Sequence, residues 1–248
     1  MTSRRRDIDL ANLPVAILAG GLATRLRPAT GKIPKGLLSV AGEPFLVHQL
    51  RLLHSQGFRK VVLCVGYLGE VIEATIGDGN RFGLQIDYSF DGPTLLGTGG
   101  ALKHAISRLG DRFLVIYGDS YMPVDYAAVV EAFVRSKKPA LMTVFENEGR
   151  WGTSNVWFEA EEIQRYDKKL QTPEMRHIDY GISVLTAGVF AGFPDNAPFD
   201  LADLYSHLVS EKQMAAYEVK HRFYEIGSAE GLAELDALLR NHAVPVPT

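Results

Sequence analysis

The chain has very little cysteine: Cys64 alone among 248 residues, so no disulfide can form within it. Cys64 lies in the apolar run Val61-Val62-Leu63-Cys64-Val65, where a small buried thiol on a strand is the expected role. A lone thiol suits a reducing cytoplasm. Long hydrophobic runs are also missing, and nothing approaches the roughly 20 apolar residues of a membrane helix. Arg4-Arg5-Arg6 is followed by Asp7 and Asp9 rather than by the apolar stretch of a secretory signal. A cytoplasmic protein with no membrane partner is therefore expected. Charge of one sign is absent too: 26 Lys and Arg face 29 Asp and Glu, a net −3, so no nucleic-acid partner is indicated. Metal-ligand histidine spacing is not found. His48 and His54 are six apart, His104 follows a glycine loop, and His177, His207, His221 and His242 are isolated, so structural or surface roles are expected.

What is present is an ordinary globular composition, 46% hydrophobic and 22% charged. A chain of this length buries a sizeable core without a disulfide or metal. Short apolar runs rich in Val, Ile and aromatics predict strands at Val15–Ala19, Lys60–Val65, Leu84–Tyr88, Phe113–Tyr117 and Ala140–Phe145. Helices are predicted between them at Pro44–Gln56, Leu68–Ile76, Gly99–Arg108 and Tyr126–Lys137. In the first, Leu46, Leu50 and Leu53 repeat near a 3.6 period and can pack one stripe on a sheet. The alternation predicts right-handed crossovers and a largely parallel sheet, with ligands beyond the carboxyl ends of its strands.

The second part changes character. Thr153–Phe158 and Glu162–Tyr166 read as a hairpin around Glu159-Ala160-Glu161, with a further strand at Ile178–Leu185. A helix at Phe199–Val209, a strand at Ala215–Val219 and a closing helix at Ala229–Asn241 complete the pattern. No linker or repeat interrupts it, so residues 1–248 are expected to form a single domain. Within it, 1–145 would be one half, 146–228 the other, and 229–248 a closing helix and tail.

The chemistry concentrates after the first strand, in Leu18-Ala19-Gly20-Gly21-Leu22-Ala23-Thr24-Arg25-Leu26-Arg27-Pro28 and then Pro34-Lys35. Two glycines let backbone N–H groups approach phosphate oxygens. Arg25 adds a planar two-pronged cation and Lys35 a compact one. A plain glycine turn with solvated cations is the alternative. Neither Gly-x-Gly-x-x-Gly nor a P-loop is matched, since Gly31-Lys32 is followed by Ile33. An aspartate closing the fourth strand, Asp119 in Tyr117-Gly118-Asp119-Ser120, suits Mg²⁺, which takes one or two carboxylates plus substrate phosphates. Its alternative role is to cap the following turn.

The opening pattern resembles that of the sugar-1-phosphate nucleotidyltransferases, Gly-Gly-x-Gly-Thr-Arg-Leu-x-Pro…Pro-Lys, with Ala23 in place of the third glycine. Leu96-Gly97-Thr98-Gly99-Gly100-Ala101 resembles the family's second glycine loop, which lies against the nucleotide base. Arg150-Trp151-Gly152-Thr153 resembles its sugar-site loop. Arg165-Tyr166-Asp167-Lys168 resembles the segment whose lysine holds the sugar phosphate. Asp179-Tyr180-Gly181-Ile182 stands where the family has Asn-x-Gly-Ile. Tyr224-Glu225-Ile226-Gly227 stands where it has x-Asp-Ile-Gly, whose acid is a second metal ligand.

The resemblance implies a Rossmann-like three-layer α/β/α fold with a mostly parallel mixed sheet and a small β lid at the sugar site. It implies Mg²⁺-dependent joining of a nucleoside triphosphate to a sugar 1-phosphate, with a homo-oligomer possible. Arg25, Lys35 and Asp119 would be catalytic. Leu18, Ala19, Gly20, Gly21, Ala23, Thr24, Thr98, Gly99 and Gly118 would hold nucleotide. Gly152, Lys168, Asp179 and Gly181 would hold sugar phosphate, and Asp119 with Glu225 the metal. Short length and the Leu-Gly-Thr-Gly-Gly-Ala loop look closest to heptose- or mannose-1-phosphate guanylyltransferases. Transfer of another base stays open, as does a weakly active regulatory homologue that binds nucleotide sugar. A dehydrogenase on a similar sheet is disfavoured by the missing fingerprint.

Overall fold

The computed structural model describes residues 9–21 and 33–241. Strand β1 (Val15–Leu18) is followed by a short ribbon of β2 (Ser39–Val40) and β3 (Glu43–Pro44), then helix α1 (Phe45–Ser55). Next come β4 (Lys60–Val65), α2 (Gly69–Ile76), β5 (Gln85–Phe90), α3 (Gly97–Leu109) and β6 (Arg112–Tyr117). They are followed by β7 (Ser120–Tyr121), α4 (Tyr126–Ser136), β8 (Ala140–Glu146), β9 (Val156–Glu159), β10 (Glu162–Tyr166) and β11 (His177–Thr186). The chain continues through α5 (Leu201–Ser210), β12 (Met214–Val219), β13 (Tyr224–Glu225) and α6 (Ala229–Arg240). Every helix and long strand expected from the apolar pattern is found. The two-residue strands were not anticipated, because two residues carry no periodicity.

Nine strands form one sheet ordered β10-β9-β11-β6-β1-β4-β5, with β8 also on β11 and β12 on β8. β1, β4, β5 and β6 are parallel. β11 runs antiparallel between β6 and β8, so the sheet is mixed and passes through both halves of the sequence. The β9–β10 hairpin prolongs it, joined through the single register pair His177 with Val156.

Alternation along the strands builds the layers. Val15 and Ile17 face a cluster that holds Leu46, Leu50 and Leu53 of α1 and Val129 and Phe133 of α4. Ala16, between them, faces the opposite cluster with Leu102 and Ala105 of α3 and Leu204 and Leu208 of α5. Helices therefore cover both faces, the α/β/α arrangement expected. Leu235 of α6 closes a third, smaller cluster with Val40, Phe45, Tyr121 and Ile226. Among the described residues no helix is long and apolar enough to cross a membrane.

The β9–β10 turn is costly as built. Ala160 and Glu161, its two central residues, both have positive φ, 51° and 62°. Two-residue hairpin loops favour such values for their twist, but Asn and Gly adopt them far more readily. Replacing Ala160-Glu161 by Asn-Gly is expected to raise unfolding free energy by about 1 kcal/mol, read as a higher denaturant midpoint at unchanged slope. An unchanged or lower midpoint would contradict this reading of the turn.

Candidate functional site

Strand order reverses between β1 and β6, and a crevice opens beyond their carboxyl ends. The two chains run very close there. Gly118 N–H donates to Leu18 O at 3.0 Å, and a Cβ on Gly118 would lie 2.9 Å from Leu18 O and 3.0 Å from Ala19 Cα. Gly20 approaches the loop after β4 in the same way, its Cβ direction ending 3.0 Å from Gly66 N. These glycines are needed for backbone packing before any ligand is considered. Between the strand ends lies a cavity of about 330 Å³. Leu18, Ala19, Gly20, Gly21, Lys35, Tyr117, Gly118 and Asp119 line it around the ends of β1 and β6, and Asp91, Leu95, Gly97, Thr98 and Ala101 line it from the segment after β5, which lies three strands from β6 in the sheet. Cys64 forms part of its wall; burial pushes its thiol pKa up to about 12.

Lys35 reaches the cavity from a short 3-10 turn, Lys35–Leu37. Its Nζ donates to Asp119 Oδ2 at 2.6 Å, with the two side chains 21% and 39% exposed. Two supports hold the Asp119 backbone. Gln49 of α1, buried, donates through Nε2 to Tyr117 O at 2.8 Å and to Ser120 O at 2.7 Å. Ile226 N–H donates to Asp119 O at 3.0 Å, where β13 pairs with β7.

Glu225 is paired with Ser120 in that register, but its side chain turns elsewhere. Oε2 accepts from Gly227 N–H, and Oε1 accepts from Ser228 Oγ at 2.5 Å. Ser228 is in turn the N-cap of α6. Both oxygens of the carboxylate expected to ligate metal thus accept hydrogen bonds in the turn leading into α6, and each keeps a further lone pair. No group of three or more His, Cys, Asp or Glu suited to a metal occurs among the described residues. Asp119 fits Mg²⁺ chemistry nonetheless, since that ion takes few protein carboxylates and completes its shell with water and phosphate oxygens.

Lys168 lies over the Tyr117 ring, 5.9 Å from its centroid, and 3.8 Å from Asp200 Oδ1. Asp200 Oδ1 also accepts from Thr98 Oγ1 at 3.0 Å and, as N-cap of α5, from Ala202 N–H at 2.9 Å. Burial alone would raise the Asp200 pKa; the Ala202 N–H, Lys168 and the Thr98 hydroxyl outweigh it and hold it below the usual carboxylate range. A chain of contacts thus links the start of α3, on the cavity wall, to Lys168. Asp179 accepts from Gly181 N–H at 3.0 Å. Burial pushes its pKa up, against the pull of Lys168. Gly181, at φ 101°, sits in the bulge of β11 with its Cβ direction against Met122 and Tyr117.

Two sequence expectations are placed differently. Gly152 opens onto a separate groove with Thr153, Ser154 and Arg176, because Asn147 ties that loop down through Gly152 O at 2.8 Å and Trp151 N–H at 3.0 Å. Gly99 turns from the cavity, and a Cβ there would lie 2.2 Å from the Phe199 ring. Of that loop, Gly97, Thr98 and Ala101 line the cavity. Ala23, Thr24 and Arg25 lie outside the described residues. Sequence reasoning missed Gln49, Asp91, Gly66 and Asp200. A polar Gln inside an apolar helical stripe was the available signal for the first.

Residues 15–241 match the nucleotidyl transferase family. The chain belongs to that family. Among relatives, it is 29% identical over 237 residues to a mannose-1-phosphate guanylyltransferase of Mycobacterium tuberculosis, covering 93% of this chain and 66% of the relative. It is 29% identical over 214 residues to a D-glycero-alpha-D-manno-heptose 1-phosphate guanylyltransferase of Campylobacter jejuni, covering 86% and 94%. The chain also matches uridylyltransferases, spanning 54%, 50% and 95% of their own length. Among solved structures, HddC from Yersinia pseudotuberculosis complexed with GMP-PN superposes with a TM-score of 0.73 at 25% identity, covering 92% of this chain and 99% of that one.

The Gly99–Phe199 contact gives a folding test for this nucleotidyl transferase. Gly99→Ala is expected to cost about 1–3 kcal/mol through overpacking, and Phe199→Leu in the same chain should recover part of it. Strict additivity of the two changes in denaturant unfolding would contradict the assigned clash.

Proposed function

We propose that the protein transfers a nucleotidyl group from a nucleoside triphosphate to a sugar 1-phosphate, with GTP and a mannose or heptose 1-phosphate as substrates. The single observation that carries this reading is the Lys35–Asp119 pair at the mouth of the switch-point cavity, 2.6 Å between Nζ and Oδ2. A cation and a carboxylate held together there can part to serve opposite partners, phosphate and metal. The guanylyl choice is supported by the relatives from Mycobacterium tuberculosis and Campylobacter jejuni and by the GMP-PN complex of HddC.

In the proposed reaction a phosphate oxygen of the sugar 1-phosphate attacks the α-phosphorus. The bond from that phosphorus to the α–β bridging oxygen breaks, and its electron pair leaves with pyrophosphate. A phosphate monoester is already an anionic nucleophile, so no general base is needed. The task for the protein is to position two anions and neutralise charge as it moves. Lys35 holds the α-phosphoryl oxygens, Arg25 the β- and γ-phosphates, and Lys168 the sugar phosphate. The crevice backbone at Leu18–Gly21, with Ala23, Thr24, Thr98 and Gly118, lines the nucleotide. Asp179 accepts from sugar hydroxyls beside Gly181. Asp119 holds Mg²⁺, which when bound offsets negative charge on the triphosphate. Glu225 fixes the loop against which Lys35 rests, since the Cβ direction of Gly227 meets both Glu225 Oε2 and Lys35 Nζ.

Pyrophosphate release, measured across four nucleoside triphosphates and a panel of sugar 1-phosphates, tests the reading. Release is expected with Mg²⁺ and loss of it with a chelator. Asp119→Asn is expected to lower kcat roughly a hundredfold or more with the fold retained. Near-wild-type turnover of that variant would sink the assignment of Asp119.

A further inference from the structure

One charged side chain at the cavity has no part in the chemistry above. Asp91 directly follows β5 and lines the end away from Lys35 and Asp119, beside Leu95, Gly97 and Ala101. Its Oδ2 is anchored by Leu96 N–H at 3.1 Å. The same oxygen lies 3.1 Å from the Cβ direction of Gly66, so glycine at 66 leaves room beside it. Among the described residues no hydrogen bond is formed to Oδ1. Partial burial raises the carboxyl pKa against the Leu96 contact.

A carboxylate at this end repels phosphates, which belong at the Lys35 end. The space beside Asp91 has apolar walls in Leu95 and Ala101, suited to the flat face of a base. An ionised carboxylate only accepts hydrogen bonds. Guanine alone among the common bases presents two adjacent donors on its pairing edge, N1–H and the N2 amino group. Uracil and thymine present one N–H between two carbonyl oxygens, which a carboxylate repels. Cytosine and adenine present an amino group beside an unprotonated ring nitrogen.

We infer that Asp91 is the residue that selects guanine, its carboxylate accepting from the base edge while Leu96 N–H holds it in place. This rests on the reading that the cavity takes a nucleoside triphosphate, and it adds which base the site accepts and why.

The test uses equilibrium binding of GDP, IDP and UDP to the full chain, so that it does not depend on turnover. Inosine lacks the N2 amino group, and GDP is expected to bind at least about tenfold tighter than IDP or UDP, the scale of a good two-donor contact. Asp91→Asn keeps an oxygen for Leu96 N–H and puts an amide donor beside it. It should reduce both ratios to near one, and Asp91→Glu should restore part of the GDP preference. Wild-type binding of GDP and IDP with equal affinity, or an Asp91→Asn protein with unchanged ratios, would overturn the inference. The wild-type comparison holds even if the variants fail to fold. Absence of pyrophosphate release with every triphosphate, alongside intact GDP selectivity, would instead defeat the transferase reading and leave the role of Asp91 standing.

Discussion

The close approach of β1 and β6 at their carboxyl ends is the constraint on which the site depends. Gly118 donates to Leu18 O and leaves no space for a side chain between the two strands. A larger residue would wedge them apart and move Asp119, the next residue, away from Lys35. Gln49 works from the other side: it bonds the carbonyls of Tyr117 and Ser120 from within α1. The core stripe of a helix thus carries one polar residue whose purpose is to fix the turn that presents a carboxylate. Pairing of both its amide donors offsets part of the cost of burying it.

Charge is laid out along the cavity so that its two sides differ in sign. Lys35 stands by the end of β6 and Asp91 by the end of β5, which under the proposed function would orient a triphosphate. The contacts from Thr98 through Asp200 to Lys168 tie the start of α3 to the lysine above Tyr117. Thr98 and Lys168, assigned under the proposed function to the two substrates, thus share the Asp200 carboxylate. The Lys35–Asp119 pair is partly exposed, and its contribution to folding is accordingly small. Its value lies in keeping both charges in place before ligands arrive.

Much of this was legible in the residues. Apolar runs with period 2 and 3.6 located every long strand and helix, because burial on both sheet faces leaves a simple pattern. The loops after β1 and β6 were found because glycine, cation and carboxylate stand at strand ends. The rest depends on contacts distant in sequence. Gly99 reads as a phosphate-loop glycine but is glycine because Phe199, a hundred positions on, packs against it. Glu225 reads as a metal ligand from its motif, and only the fold shows the Ser228 hydroxyl and the Gly227 amide beside its carboxylate. Gly152 was drawn away by Asn147. Asp91 passed unnoticed because a lone Asp after a strand is common, and only the folded cavity sets it opposite Lys35.

Under the proposed function the Lys35–Asp119 pair must open to take up nucleotide and metal together. A crystal structure of the protein with Mg²⁺ and a non-hydrolysable GTP analogue tests this most directly. It should show Lys35 Nζ on a phosphate oxygen, Asp119 at about 2.0–2.1 Å from the ion and guanine at the Asp91 end of the cavity. A nucleotide bound elsewhere, or bound in the cavity with Lys35 still on Asp119 and no ion beside it, would contradict the account.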